Sequence, residues 1–240
     1  MLAYVIRRVF QSIFVLLMVG LVAFSMFRFV GDPVENLLGQ ERTQADIERV
    51  RDQLGLNDPF PVQYVKFLGN ALQGNLGVSY RQGRPVSEII AERAPATLEL
   101  AGVSALFAVV FGVGLGVFTA IRRDGFMANF IMTTSLIGVS LPTFLIGILL
   151  IYIFAVELGW LPSFGRGETV KIGGWSTGFL TESGLKAIIL PAITLGLYQM
   201  TLIMRLVRSE MLEVLRTDYI KFARARGLST PAINFRHALT

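Results

Sequence analysis

The chain has 240 residues, 53% of them hydrophobic and 16% charged, with a mean hydropathy of +0.59; a soluble domain carries roughly 25% charged residues. The apolar residues fall in blocks of about 20, the length that crosses a hydrocarbon layer of roughly 30 Å as helix, so a single water-soluble core is excluded. There is no cysteine, which excludes disulfides, thiolate metal sites and cysteine nucleophiles, and the net charge of +5 matters chiefly through its placement.

The first span is predicted at about 9–29. Arg7 and Arg8 precede an apolar run from Val9 to Phe27. That run is longer than the apolar core of a signal peptide, and no small-x-small cleavage site follows, so the helix is expected to be retained.

Residues 31–97 read as a small folded cap on the outer face, built of amphipathic pieces. Thr43 precedes a helical pattern with Ile47, Val50 and Leu54 on one face, closed by Gly55. A second helix starts at Pro61, with Val62, Val65 and Leu68 spaced three apart. A Gly-rich turn runs from Gly74 to Ser79, and Pro85 to Arg93 reads as a short helix leading to Pro95. Such a cap could meet a soluble partner or only seal the bundle.

Spans two, three and four are predicted at about 98–120, 130–156 and 187–204. Ala108, Gly112 and Gly116 recur every four residues in span two, with Gly114 between, a spacing that lets helices approach closely. Span three contains Pro142, which predicts a tilt or kink. Arg28 and Glu99 are expected at outer span ends, where a long side chain reaches the interface. No buried carboxylate or lysine is expected inside a span to mark an ion path. Thr194, Tyr198, Gln199 and Thr201 in span four need partners in lipid. They could line a translocation path or bond to neighbouring helices.

Residues 205–240 carry the sharpest signal. A basic amphipathic helix follows span four, through Asp218, Tyr219, Lys221, Ala223, Arg224 and Ala225, and Gly227 stops it. Leu228-Ser229-Thr230-Pro231 then opens a second helix. A helix–Gly turn–helix of this kind suits either the surface of anionic lipid or the groove of a cytoplasmic partner.

Charge sets the topology. The N-terminal segment, the 121–129 loop (Arg122, Arg123 against Asp124) and the 205–240 segment (seven basic against three acidic) are net positive. The 31–97 loop has seven basic and nine acidic residues, and 157–186 has three of each. The positive segments belong in the cytoplasm, the N-terminus among them.

The last segment resembles the cytoplasmic coupling motif of binding-protein-dependent ABC importer permeases. That motif reads Glu-Ala-Ala, three residues, Gly, nine residues, Ile-x-Leu-Pro. Gly227 matches its glycine, Ala223 its second alanine and Leu239 its leucine, while Lys221, Phe222, His237 and Thr240 depart from it. Ala223-x-Ala225-x-Gly227 after Asp218-Tyr219 is similar to the version in the dipeptide, oligopeptide, glutathione and nickel branch. So are Gly31-Asp32-Pro33, Leu54-Gly55-Leu56, Arg84-Pro85-Val86, the stretch Pro95 to Leu100, and Leu190-Pro191-Ala192.

The resemblance implies an all-α polytopic bundle of the type I ABC importer permease kind in a bacterial inner membrane. It implies a cap at 31–97 and a core domain at 98–240, with two further spans expected beyond Thr240. It assigns ATPase coupling to Asp218, Tyr219, Lys221, Ala223, Arg224, Ala225, Gly227, Leu228 and Leu239. The implied partners are a homologous second permease, two ATP-binding subunits, an extracytoplasmic solute-binding protein and the lipid bilayer; nucleic acid is not among them. The chain itself has no Gly-x4-Gly-Lys-Ser/Thr phosphate loop, so no cofactor is expected here and ATP belongs to the partner subunits. The rival classes are a membrane channel, a scaffold and a membrane enzyme. The last would want a catalytic pair or metal cluster within the spans, and the sole histidine, His237, lies in the basic segment.

Overall fold

The computed structural model describes residues 1–30, 48, 51, 56–79 and 82–234. They fall into two compact units, Met1–Arg93 and Ala94–Thr240.

In the first unit, α1 spans Leu2–Val30. A helix satisfies every backbone group internally, as a segment in hydrocarbon must. The apolar side chains of its first half, such as Val9, Phe14 and Leu16, are exposed, as befits lipid-facing groups. Its later part packs on α2, Phe60–Leu72. Phe24 meets the rings of Phe60, Tyr64 and Phe67 at centroid distances of 5.6, 5.8 and 5.4 Å. The periodicity places Val62 and Val65 on the packing face, but both are exposed. The larger area of the aromatics decides which face packs. Gln63, buried in α2, donates to the carbonyls of Leu56 and Asp58 and ties the incoming turn to the helix. Gly74 and Gly77 both adopt φ +79°, so the Gly-rich turn uses a backbone region that side-chained residues avoid. The helical pattern after Thr43 lies outside the described residues except for Glu48 and Arg51, both helical.

Helix α3, Val86–Ile121, is continuous through Pro95. The predicted short helix and span two are therefore one element. Pro95 forfeits only its own bond toward Ala91, one ladder bond in a helix of 36 residues. Residues Phe126–Ser140 form α4 and Thr143–Ile151 form α5, which continues as a π-helix over Tyr152–Glu157. The two halves of predicted span three meet at a bend of 105°, far sharper than a tilt. Pro142 stands outside both helices with φ −57° and ψ 135° and drives its predecessor away from helical geometry. A small antiparallel hairpin follows, absent from the all-α reading: β1, Val170–Ile172, pairs with β2, Trp175–Thr177, across Gly173-Gly174. Helix α6, Glu182–Val214, then runs past the predicted end of span four. The amphipathic stretch beyond it is broken at 215–217, so α7, Asp218–Ala225, is separate from α6, and α8, Thr230–Ala232, follows the Gly227 turn.

The core of the second unit is the crossing of α3 and α6. A side chain on Gly112 would stand 2.9 Å from the Ile203 Cβ, and one on Gly116 would stand 2.8 Å from the Val207 Cβ. On the other helix, a side chain on Gly196 would strike the ring of Phe107 at 2.6 Å. The residue numbers rise together along both helices, so they are parallel. The segment between them must therefore return the chain from one end of the pair to the other. Among the described residues, three helices are long and apolar enough to cross a membrane, or four spans if the bent pair counts as one. Polar groups within the helices are satisfied locally: Ser104 donates to the Leu100 carbonyl at 2.7 Å and Thr119 to that of Leu115 at 2.8 Å.

Candidate coupling surface

Helix α7 follows a tight turn in which the Thr217 hydroxyl donates to the Val214 carbonyl at 2.6 Å. Asp218 occupies its first turn and Arg224 its last, each at the end whose dipole favours its charge. Ile220 and Ala223, three residues apart, face inward. They pack with Val117 and Ala120 at the end of α3, Met211 on α6 and Ile233 after α8. Ile220 is 0% exposed, and burial of such a side chain stabilises by about 2 kcal/mol. The predicted docking residue Ala223 is thus part of the chain's own core.

The opposite face is open. Tyr219 and Phe222 are exposed, Phe222 by 64%, and the Arg226 guanidinium lies over the Phe222 ring, 5.7 Å from its centroid. Lys221 and Asp218 pair at 2.8 Å on the surface, an exposed contact that contributes little. Ala225 and Leu228 are exposed beside them. Gly227, at φ +78°, closes the helix. Its N–H reaches the Arg224 carbonyl at 2.9 Å, and the Leu228 N–H reaches that of Ala223 at 3.3 Å. These two bonds define a Schellman motif with glycine at its left-handed position. Pro231 lies in the first turn of α8. Leu239 and His237 lie outside the described residues. Phe222, which the motif comparison marks only as a departure, is the largest exposed apolar side chain of α7.

The four polar residues of α6 are not brought together. Thr194 donates to the Leu190 carbonyl at 2.7 Å, and Thr201 to that of Leu197 at 3.0 Å. Their side chains fill the space beside Gly147 on α5 and Gly138 on α4. Tyr198 and Gln199 are exposed.

At the other end of the α3–α6 pair, Glu99 departs from expectation. It is 7% exposed and does not reach toward an interface. Its Oε2 accepts from Arg166 Nη2 at 2.9 Å and its Oε1 from Trp175 Nε1 at 3.1 Å, with the Gly178 N–H at 3.4 Å. The same Arg166 nitrogen also donates to the Ser176 carbonyl. A buried carboxylate exists after all, held by partners 67 to 79 residues away in sequence, a separation no local pattern reports.

Residues 112–239 match the family model of the binding-protein-dependent transport system inner membrane component. Residues 1–101 match the model for the N-terminal part of such membrane components. A probable peptide ABC transporter permease protein of Sinorhizobium fredii is 38% identical over 98% of this chain and 73% of its own length. The oligopeptide transport system permease protein AppB of Bacillus subtilis is 40% identical over 100% of this chain and 74% of its own. The dipeptide transport system permease protein DppB of Alkalihalophilus pseudofirmus is 36% identical over 100% and 76%. Matches across both halves of the chain, on a polytopic helical fold, lead to one conclusion: this chain belongs to the family of binding-protein-dependent transport system inner membrane components, the permease subunits of ABC importers.

Proposed function

We propose that this permease forms half of a peptide translocation path, paired with a homologous second permease, above two ATP-binding subunits and below a solute-binding protein. The relatives named for peptide, dipeptide and oligopeptide transport support the solute. The observation that carries the coupling role is the two-faced α7. Its Ile220–Ala223 face is embedded between the ends of α3 and α6, while its Tyr219–Phe222 face is open.

ATP-driven movement of the motor subunits pushes on the open face. Because the inner face is part of the core, the push reaches α3 and α6 together, and their glycine contacts keep them moving as one. A bias between inward- and outward-open states arises only if α7 contacts the motor differently in each. Asp218, Lys221, Arg224, Ala225 and Leu228 complete the docking surface around the aromatic pair, and the Gly227 turn sets the direction of α8. Exposed Tyr198 and Gln199 are the candidates for the path, with Thr194 and Thr201 holding α4 and α5 against α6. Residues 31–97 form the outer cap and 98–240 the core. The N-terminus lies in the cytoplasm, on the side of Arg122, Arg123 and α7, as the charge asymmetry supports.

Purification from native membranes tests this reading. An ATPase and a second permease should co-purify, and ATP hydrolysis should rise several-fold with peptide-loaded binding protein. Stimulation by glutathione- or nickel-loaded protein alone would reassign the solute. A complex without an ATPase would overturn the class of mechanism.

A further inference from the structure

Helix α1 is long and apolar enough to span the membrane, and side chains along it, such as Leu16, Val19 and Val22, are exposed as lipid-facing groups are. Helix α2 belongs to the same compact unit, and two contacts fix how far along α1 it reaches. The Tyr64 hydroxyl donates to the Leu17 carbonyl at 2.5 Å, and a Cβ on Gly20 would stand 3.4 Å from the same oxygen. Leu17 lies 13 residues before Val30, the last residue of α1, which is about 20 Å at the rise of a helix. The apolar run starts at Val9, and about 20 residues cross the hydrocarbon layer, so the end of α1 marks the far boundary and Leu17 lies near mid-depth. A phenol there has no water to bond, and a helix carbonyl with its second lone pair free is the acceptor within reach. A tyrosine side chain is far shorter than the distance from Leu17 to the end of α1. The backbone of α2 therefore lies below that boundary; a helix resting above the bilayer would make neither contact.

The residues of α2 are arranged for that depth. Phe60, Tyr64 and Phe67 form the stripe against α1, where all three rings meet Phe24. Val65, Leu68 and Leu72, spaced three and four apart, form a second stripe about a quarter turn to one side. Gln63, Lys66 and Asn70 form a third, about a quarter turn to the other. Val65 and Leu72 are exposed, Leu72 by 90%. Lys66 is exposed too and pairs with Asp58, before the helix, at 2.6 Å. Tyr64 stands on the flank of the ring stripe next to the apolar stripe, and Phe67 on the flank next to the polar one. Tyr64 is the ring that reaches toward the middle of α1. The apolar stripe is thus turned to the membrane interior, continuous with the lipid-facing surface of α1, and the polar stripe is turned away from it.

We propose that α2 lies within the bilayer, in the leaflet where α1 ends, with Val65, Leu68 and Leu72 among phospholipid acyl chains and Gln63, Lys66 and Asn70 toward the headgroups. The cap of residues 31–97 is then partly sunk into lipid beside the first span. This inference stands on α1 and α2 alone and needs neither the motor nor the solute of the proposed function.

Spin-label EPR tests it on the assembled transporter, otherwise freed of cysteine, in phosphatidylethanolamine–phosphatidylglycerol liposomes. Val65→Cys, Leu72→Cys and Asn70→Cys each carry one nitroxide. Collision with oxygen, which partitions into lipid, is compared with collision with a water-soluble nickel chelate. Labels at 65 and 72 should show an oxygen-to-nickel ratio about fivefold above the label at 70, at the depth of about 5–10 Å typical of an interfacial helix. If the label at 65 prevents assembly, the highly exposed Leu72 carries the same decision. Frequent nickel collision at 65 and 72 places that face in water and overturns the proposal. Rare collision with both probes places it against another subunit and overturns it as well.

Discussion

At Gly227 a single backbone angle decides the direction of everything after α7. A Cβ placed there meets nothing within 4 Å, so space is not the constraint; φ +78° is. Gly227→Ala should cost about 1–2 kcal/mol, because an L side chain crowds the following carbonyl at positive φ. Gly227→Pro is harsher, since the ring fixes φ near −65° and removes the N–H given to Arg224. We expect Gly227→Pro to insert at normal levels, while ATP hydrolysis no longer responds to loaded binding protein; ATP consumed per peptide imported measures it. Normal coupling in that variant would contradict a docking role for the turn. Gly227, Ser229 and Pro231 were legible because turn and first-turn preferences are local. Glu99 was not, because its burial depends on Arg166, Trp175 and Gly178 folding back across α3.

Elements were legible where hydrophobic runs and breakers agree, and less so where tertiary context overrides them. The glycine spacing of span two announces a close helix neighbour, and α6 is that neighbour. The contrast between Gly116 and Gly114 makes this quantitative. Gly116→Ala places a methyl 2.8 Å from the Val207 Cβ and 2.9 Å from the Met204 carbonyl, whereas Gly114→Ala meets nothing within 4 Å. Thermal unfolding in detergent should show Gly116→Ala destabilised by about 1–3 kcal/mol, the usual cost of overpacking. Gly114→Ala should be neutral or gain up to about 1 kcal/mol from helix propensity. Equal melting temperatures would contradict the tight crossing. Two element boundaries escaped the sequence for identifiable reasons. Pro95 looks like a stop but sits within α3, and the break at Leu215-Arg216-Thr217 contains neither glycine nor proline to announce it. The hairpin did carry a signal, a Gly173-Gly174 pair of the kind that two-residue turns favour.

For the molecule as a whole, the parallel α3–α6 pair separates two clusters of residues by the length of a span. One end carries α7 packed against the close of α3, with Arg122 and Arg123 next in sequence. The other carries Glu99 and the hairpin. Charge counting groups the 121–129 loop with α7 and sets residues 157–186 apart from them, the same grouping that the parallel pair gives. The aromatic face of α7 was not legible in the sequence, since Phe222 is exposed only because Ile220 and Ala223 take the core positions. The absence of cysteine from the sequence makes a direct measurement clean. Ala225→Cys on α7 and Lys171→Cys on the hairpin each introduce the single thiol among these 240 residues, for short-range cross-linking in native membranes. Ala225→Cys should capture an ATP-binding subunit, and Lys171→Cys should not. A functional transporter in which Ala225→Cys captures no ATPase would contradict the coupling account.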